Sequence, residues 1–190
     1  MTTRWMAGVL SAVGVAVILP CAALQAAPEP APPKPAAEMA NLKWFDGNWT
    51  CEGTVPPGPM GPGGKIKGTV KSHADFGGFW QSGMVKSSMG TMPAMEGMFH
   101  MTYDPGPKEY VLLWVDNTGG YSKETSSGWD GDKIVFSGTS SMAGKQVATR
   151  DSFTKMGKSM KHDWEGQMDG ATWTPMGSET CTRAAAAAKK

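Results

Sequence analysis

The chain has 190 residues, a formal net charge of +1 and 18% charged residues. This near-neutral balance provides no broad basic field of the kind that nucleic-acid binding requires, so the composition argues against a nucleic-acid partner. Glycine is abundant at 25 residues and tryptophan at eight, a composition that favours strands and turns over helices.

The first 26 residues have the three-part layout of a secretory signal peptide. A single early charge, Arg4, precedes an uncharged stretch from Met6 to Pro20, and small residues follow. The uncharged stretch is shorter than the roughly 20 apolar residues that a membrane-spanning helix needs. We therefore predict cleavage after Ala26 and an exported protein, periplasmic or secreted, without a membrane span. A lipid anchor on Cys21 is a second interpretation, but Pro20 is a poor residue for the position before a lipidated cysteine.

Three segments follow the predicted signal peptide. Residues 27–40 are rich in proline and alanine, and we expect them to form an extended linker. Residues 41–183 are long enough for one domain with a hydrophobic core. Residues 184–190, five alanines and two lysines, form a short tail. The sequence therefore predicts a single folded domain.

Turn signals recur about every ten residues through this domain. Examples are Asp104-Pro105-Gly106, Asp130-Gly131, Met156-Gly157 and Asp169-Gly170. Nine such breaks delimit about ten strands, after one short helix between Ala36 and Phe45. The pattern predicts an all-β fold, an antiparallel up-and-down β-barrel of about ten strands with a short N-terminal helix. A barrel closes on itself and leaves no exposed sheet edge.

Two cysteines remain after removal of the predicted signal peptide, Cys51 near the start of the domain and Cys181 near its end. In an oxidising compartment such a pair is most simply a disulfide. If the first and last strands pair, as barrel closure requires, the two residues can lie opposite each other on one face. A metal thiolate pair is the alternative, but the two cysteines lack the short spacing usual in zinc sites.

Several segments of the domain resemble the DUF1579 family, whose members have no assigned function. They are the opening tract Leu42–Gly53, then Met95-Glu96-Gly97, Tyr103-Asp104-Pro105, Tyr110–Asn117 and the closing Thr182-Arg183. The resemblance covers nearly the whole domain. It implies a lipocalin-like, calycin-type barrel and no established reaction. The opening Gly-x-Trp-x-x-x-Gly motif is also similar to lipocalins and to nitrobindin-like haem barrels.

A hollow barrel of this kind can hold a small ligand, and strand alternation assigns candidate lining residues. The predicted lining is Trp49, Phe99, Met101, Trp114, His162 and Trp164. The leading hypothesis is therefore an exported barrel that binds a small hydrophobic molecule. His162 lies among apolar neighbours and is a candidate axial ligand for haem, although a hydrogen-bonded core histidine is the commoner case.

Five methionines recur at every third position from Met89 to Met101, and His100 lies inside this run. Thioethers suit Cu(I) in an oxidising compartment. The alternative hypothesis is therefore a periplasmic Cu(I)-binding protein that uses Met89, Met92, Met95, Met98 and His100. A spacing of three alternates between the faces of a strand, so only the looped part of the run could converge easily on one ion. Flexible filling of a core is the competing interpretation of the methionines.

No arrangement of residues typical of an enzyme stands out. The chain has no Gly-x-Ser-x-Gly, His-Glu-x-x-His or phosphate-loop motif. Prolines interrupt the glycine-rich stretch 56–64 and remove amide donors that a phosphate cradle would need. The sequence favours a binding protein over an enzyme and predicts no cofactor. A barrel that serves only as an interaction surface is a third hypothesis.

Overall fold

The computed structural model describes residues 31–58, 61–90 and 92–184. The predicted signal peptide, residues 1–26, lies outside the described residues, as do part of the predicted linker and most of the predicted tail. A 3-10 helix, Ala37–Phe45, opens the described domain and confirms the predicted short helix. The strands are β1 (Gly47–Val55), β2 (Gly64–Asp75), β3 (Trp80–Met89), β4 (Met95–Asp104), β5 (Glu109–Asp116), β6 (Tyr121–Ser126), β7 (Trp129–Asp130), β8 (Lys133–Met142), β9 (Lys145–Met156), β10 (Ser159–Gly166) and β11 (Thr174–Arg183).

The strands form one antiparallel sheet that closes into a barrel. Neighbours follow chain order from β1 to β6 and from β8 to β11, and the first strand pairs with the last. β6 and the two-residue β7 both pair with β8, so they are two segments of one barrel strand, interrupted at Ser127 and Gly128. The result is a closed barrel of ten strands, which confirms the predicted fold class.

The tight turns contain the glycines that predict them in the sequence. Gly131 between β7 and β8 and Gly157 between β9 and β10 have φ angles of 58° and 64°. Glycine adopts these angles without a steric penalty, which is why such residues mark hairpins in the sequence. Local turn chemistry therefore determines where most strands end.

The N-terminal 3-10 helix closes one end of the barrel, which we call the closed end. Its side chains Met39, Leu42 and Phe45 are buried. The indole Nε1 of Trp49, at the start of β1, donates a hydrogen bond of 2.9 Å to the carbonyl oxygen of Phe45. Arg183 on β11 donates to the carbonyl oxygen of Trp44 at 2.7 Å. These contacts anchor the helix to both strands of the closing pair.

The interior changes from apolar to polar along the barrel axis. Beside the helix, inward-facing apolar side chains form one buried core, in which Ile134 and Phe136 are 0% exposed. Further from the helix, inward positions carry charged, hydroxyl and indole groups. We call this part of the interior the open half, and its principal side chains are Trp114, Asp116, Glu124, Thr149, Asp151, His162, Trp164 and Glu179.

Cys51 and Cys181 face each other across the β1–β11 pair and form a disulfide. This confirms the pairing that the sequence predicts, and it removes the thiolates on which the metal alternative depended. The bridge joins residues separated by 130 positions. It therefore connects the first and last strands at the seam where the barrel closes. Within the described residues, no helix has the length and apolar character needed to cross a membrane.

Candidate functional site

A charged network centred on His162 lies in the open half. His162 on β10 is opposite Phe153 on β9 and Glu179 on β11. Its Nε2 is 2.6 Å from Asp151 Oδ1, and its Nδ1 is 3.2 Å from Glu179 Oε1. Strand pairing therefore places the imidazole between carboxylates that come from the strands on either side.

The two carboxylates decide the protonation of this imidazole. Burial lowers the pKa of His162, but hydrogen bonds to Asp151 and Glu179 and their negative charges outweigh it and raise the pKa to about 10. The ring is therefore an imidazolium at neutral pH, with both nitrogens donating. Phe153 stacks on it with centroids 4.4 Å apart, and Trp164 lies 5.0 Å away. Both aromatic rings favour the cationic form.

Glu124 extends the network into the interior and is 1% exposed. Its Oε1 accepts a hydrogen bond of 2.7 Å from the Thr149 hydroxyl, which lies 2.7 Å from Ser140 Oγ. Glu124 on β6 reaches Thr149 on β9 across Gly138 of β8, where any side chain would collide with the backbone of Lys123 and Glu124. A buried carboxyl group thus joins the site from the opposite side of β8.

The second carboxyl oxygen of Glu124, Oε2, does not share the hydrogen bonding of Oε1. Oε2 has no hydrogen-bond partner among the described residues. Burial and the negative charge of Asp151 raise the pKa of Glu124 to about 8. At neutral pH the group is therefore a neutral carboxylic acid. Only in that form can it donate a hydrogen bond to the Asp151 carboxylate, because two ionised carboxylates have no proton to share.

Asp116 completes the charge of the open half. The Thr118 hydroxyl and the backbone N–H groups of Thr118 and Gly120 donate to its Oδ1, and Trp114 Nε1 donates to its Oδ2 at 3.0 Å. Burial opposes ionisation, but these hydrogen bonds together lower the pKa of Asp116. The formal charge is the sum of three negative carboxylates and one positive imidazolium, because protonated Glu124 is neutral. The carboxylates are Asp116, Asp151 and Glu179, and the imidazolium is His162. These five side chains therefore carry a formal charge of −2 at neutral pH. Lys145, on the same face of β9 as Thr149, is exposed at the start of that strand.

Two inward-facing cations lie at the closed end instead of in this network. The Lys155 ammonium is 3.6 Å from the centroid of the Trp129 ring. The Arg183 guanidinium is 4.2 Å from the centroid of the Trp49 ring. Both charges are held by aromatic faces beside the helix, so they do not neutralise the open half.

Clefts lie near both ends of the barrel. One of about 310 Å³ at the closed end is lined by Glu38, Asn41 and Lys155 among others. Another of about 350 Å³ lies beside the open half and includes Trp164 and Gly177 in its lining. The Trp164 ring covers Gly177, where any side chain would collide with it. Trp164 therefore borders both the cleft and the His162 network.

The predicted lining residues divide between two environments. Trp49, Phe99 and Met101 belong to the core near the closed end, where none is more than 9% exposed. Trp114, His162 and Trp164 stay partly exposed in the open half, although Trp114 also packs against the core, opposite Phe99. The carboxyl groups of the network are not among the residues predicted from the sequence. Strand alternation contains the signal for two of them, because Asp151 is two residues from buried Phe153 and Glu179 is two residues from buried Cys181.

The predicted copper ligands lie on different faces of the sheet. Met89 and Met95 are half-buried on the inward face at adjoining ends of β3 and β4, and Met92 is in the turn between them. Met98 and His100 lie on the outer face of β4, where His100 Nδ1 is 2.8 Å from Ser82 Oγ. The five residues therefore cannot surround one ion together.

A haem with His162 as its axial ligand does not fit this arrangement. An axial histidine offers one ring nitrogen to iron. Both nitrogens of His162 are instead within hydrogen-bond distance of carboxylates. No mechanistic step through haem follows from the site.

Comparisons with known proteins bear on the family and the fold. A family model described as a protein of unknown function, DUF1579, matches residues 34–183. The crystal structure of Rv2717c from M. tuberculosis is similar to this chain with a TM-score of 0.64 and 15% identity, and the match covers 80% of this chain and 100% of that one. At this identity the likeness shows a shared fold. No curated protein matches the chain.

Proposed function

We propose that this chain, which belongs to the DUF1579 family of proteins of unknown function, is an exported barrel that binds a small organic molecule in its open half. The apolar body of the ligand contacts Trp114 and Trp164, and its polar group contacts the His162 network. The proposal keeps the interior ligand that the sequence suggests. It moves the site away from Trp49, Phe99 and Met101, which pack against the closed core.

The observation that carries the proposal is the exposure of inward-facing charged side chains. The side chains of His162, Asp151 and Glu179 are 19%, 21% and 13% exposed. In a closed barrel an inward side chain meets solvent through the interior. Solvent therefore has access to the network, and this supports access for a small molecule.

Export is part of the proposal. The Cys51–Cys181 disulfide is compatible with an oxidising compartment such as a periplasm or the extracellular medium. Cleavage of the predicted signal peptide after Ala26 would deliver the domain there.

Binding of the neutral fluorescent probe N-phenylnaphthylamine tests the site with a matched pair of variants on β3. Ser87 faces inward and is half-buried, whereas Ser88 faces outward and is exposed. We expect Ser87→Trp to fill the opening and to weaken binding about tenfold or more. Ser88→Trp should leave the affinity unchanged, because its indole points away from the interior.

Fluorescence titration measures both affinities, and circular dichroism checks that each variant is folded. Equal affinities of the unchanged protein and both variants for the probe would mean that the probe binds outside the open half, and this would contradict the proposal. Absence of binding to the unchanged protein would also contradict the proposal.

A further inference from the structure

We infer that the ligand of the open half is an organic cation, a primary ammonium group on an apolar body. This inference rests on the proposed interior site and names its ligand class. Its starting point is buried Glu124 on β6, whose neighbour Asp151 on β9 is partly exposed. Glu124 Oε2 has no hydrogen-bond partner among the described residues. A proton or a bound cation can form hydrogen bonds with both carboxyl groups, whereas their negative charges would repel an anion.

The charge of the open half and the indole rings that line it both favour a cationic ligand. The four carboxyl groups of the open half and His162 carry a formal charge of −2, and the cations Lys155 and Arg183 are held at the closed end. Indole faces attract cations, and Trp114 and Trp164 lie on inward faces of this half. An ammonium group offers three donors, which suits a site rich in carboxyl oxygens.

Binding of the cation competes with the proton on Glu124. The groups that face Glu124 are Asp151 and Thr149 from β9 and His162 from β10, with Asp116 on β5 further along the interior. The balanced step transfers no electrons. Neutral Glu124–CO₂H and R–NH₃⁺ give the pair Glu124–CO₂⁻ and R–NH₃⁺, and one proton leaves to solvent. Affinity therefore increases as pH rises towards the pKa of Glu124 at about 8.

Three probes with one phenyl body test the ligand class by isothermal titration calorimetry. Phenethylammonium is the cation, phenylethanol the neutral match and phenylpropionate the anion. We expect the cation to bind most tightly and the anion most weakly. Between pH 6 and pH 7, the affinity of the cation should rise by about tenfold, as for release of one proton. An alkyl ammonium keeps its own charge in this range.

Two glutamate variants identify the carboxyl group that releases the proton. Glu124→Gln should abolish both the proton release and the pH dependence of phenethylammonium binding. Glu52→Gln is the matched control, because Glu52 is an exposed carboxylate on β1 that pairs with Lys67 outside the barrel. It should leave every measurement unchanged. Calorimetry in buffers of different ionisation enthalpy gives the number of protons that the unchanged protein releases on binding. This measurement does not depend on the folding of any variant.

Equal affinities for phenethylammonium and phenylethanol at every pH would overturn the inference. So would proton release that persists in folded Glu124→Gln. If N-phenylnaphthylamine still binds and Ser87→Trp still blocks it, the interior site survives and only the cation is wrong. If none of these probes binds, the site and the inference both fail.

Discussion

Replacement of Cys51 and Cys181 together by alanine lowers the free energy of unfolding by about 4 kcal/mol. The two residues are separated by 130 positions, so the disulfide closes a long loop and restricts the unfolded chain strongly. It also joins β1 to β11 at the barrel seam, and both side chains are at most 1% exposed. Urea denaturation monitored by tryptophan fluorescence measures the difference.

Reduction of the unchanged protein is the control for this result. A reductant should destabilise it by a similar amount and should have no effect on the double alanine variant. A loss below about 1 kcal/mol would contradict the expectation. It would mean that the hydrogen bonds of the β1–β11 pair close the barrel without help from the bridge.

The free energy of unfolding falls as pH rises from about 6.5 to 8, because His162 and Glu124 bind protons more tightly in the folded protein. Folding raises the pKa of His162 from 6.5 to about 10, so its contribution is complete below pH 6.5 and is lost as pH rises through about 10. Folding raises the pKa of Glu124 from 4.5 to about 8, so stability is lost as pH rises over that interval. Each group lowers the free energy by up to about 1.4 kcal/mol per pH unit in the shared window.

Urea denaturation at closely spaced pH values measures this slope. Glu124→Gln removes one of the two titrating groups and should reduce the slope by roughly half. Glu52→Gln, on the exposed outer face, should reproduce the slope of the unchanged protein. Stability that is constant or increases over this window would contradict the assigned protonation of the network.

The barrel and its disulfide could be predicted from the sequence because their determinants are local or follow from closure. Asp130-Gly131 and Met156-Gly157 mark hairpins through the φ angles that glycine alone adopts freely. Alternation places Cys51 beside Trp49 on one face, and closure of the first strand on the last then brings Cys181 opposite. The family resemblance is confirmed as well, since the DUF1579 family model matches residues 34–183.

The site was only partly predictable because alternation identifies the face of a side chain and not its depth. Trp49 and Trp164 both face inward, but the helix packs beside Trp49 and leaves Trp164 in the open half. The contact between Glu124 and Thr149 crosses a third strand at Gly138. Such a contact depends on strand register around the barrel, which no local pattern contains.

The most direct test of the interior site is nuclear magnetic resonance of the indole N–H groups during titration with phenethylammonium. Shifts of the Trp114 and Trp164 signals, with the signal of Trp49 unmoved, are the predicted result. Trp49 is the internal control, because it is 2% exposed and bonded to the closing helix. Shifts confined to Trp44 and Trp129 at the closed end would contradict the account, as would the absence of any shift.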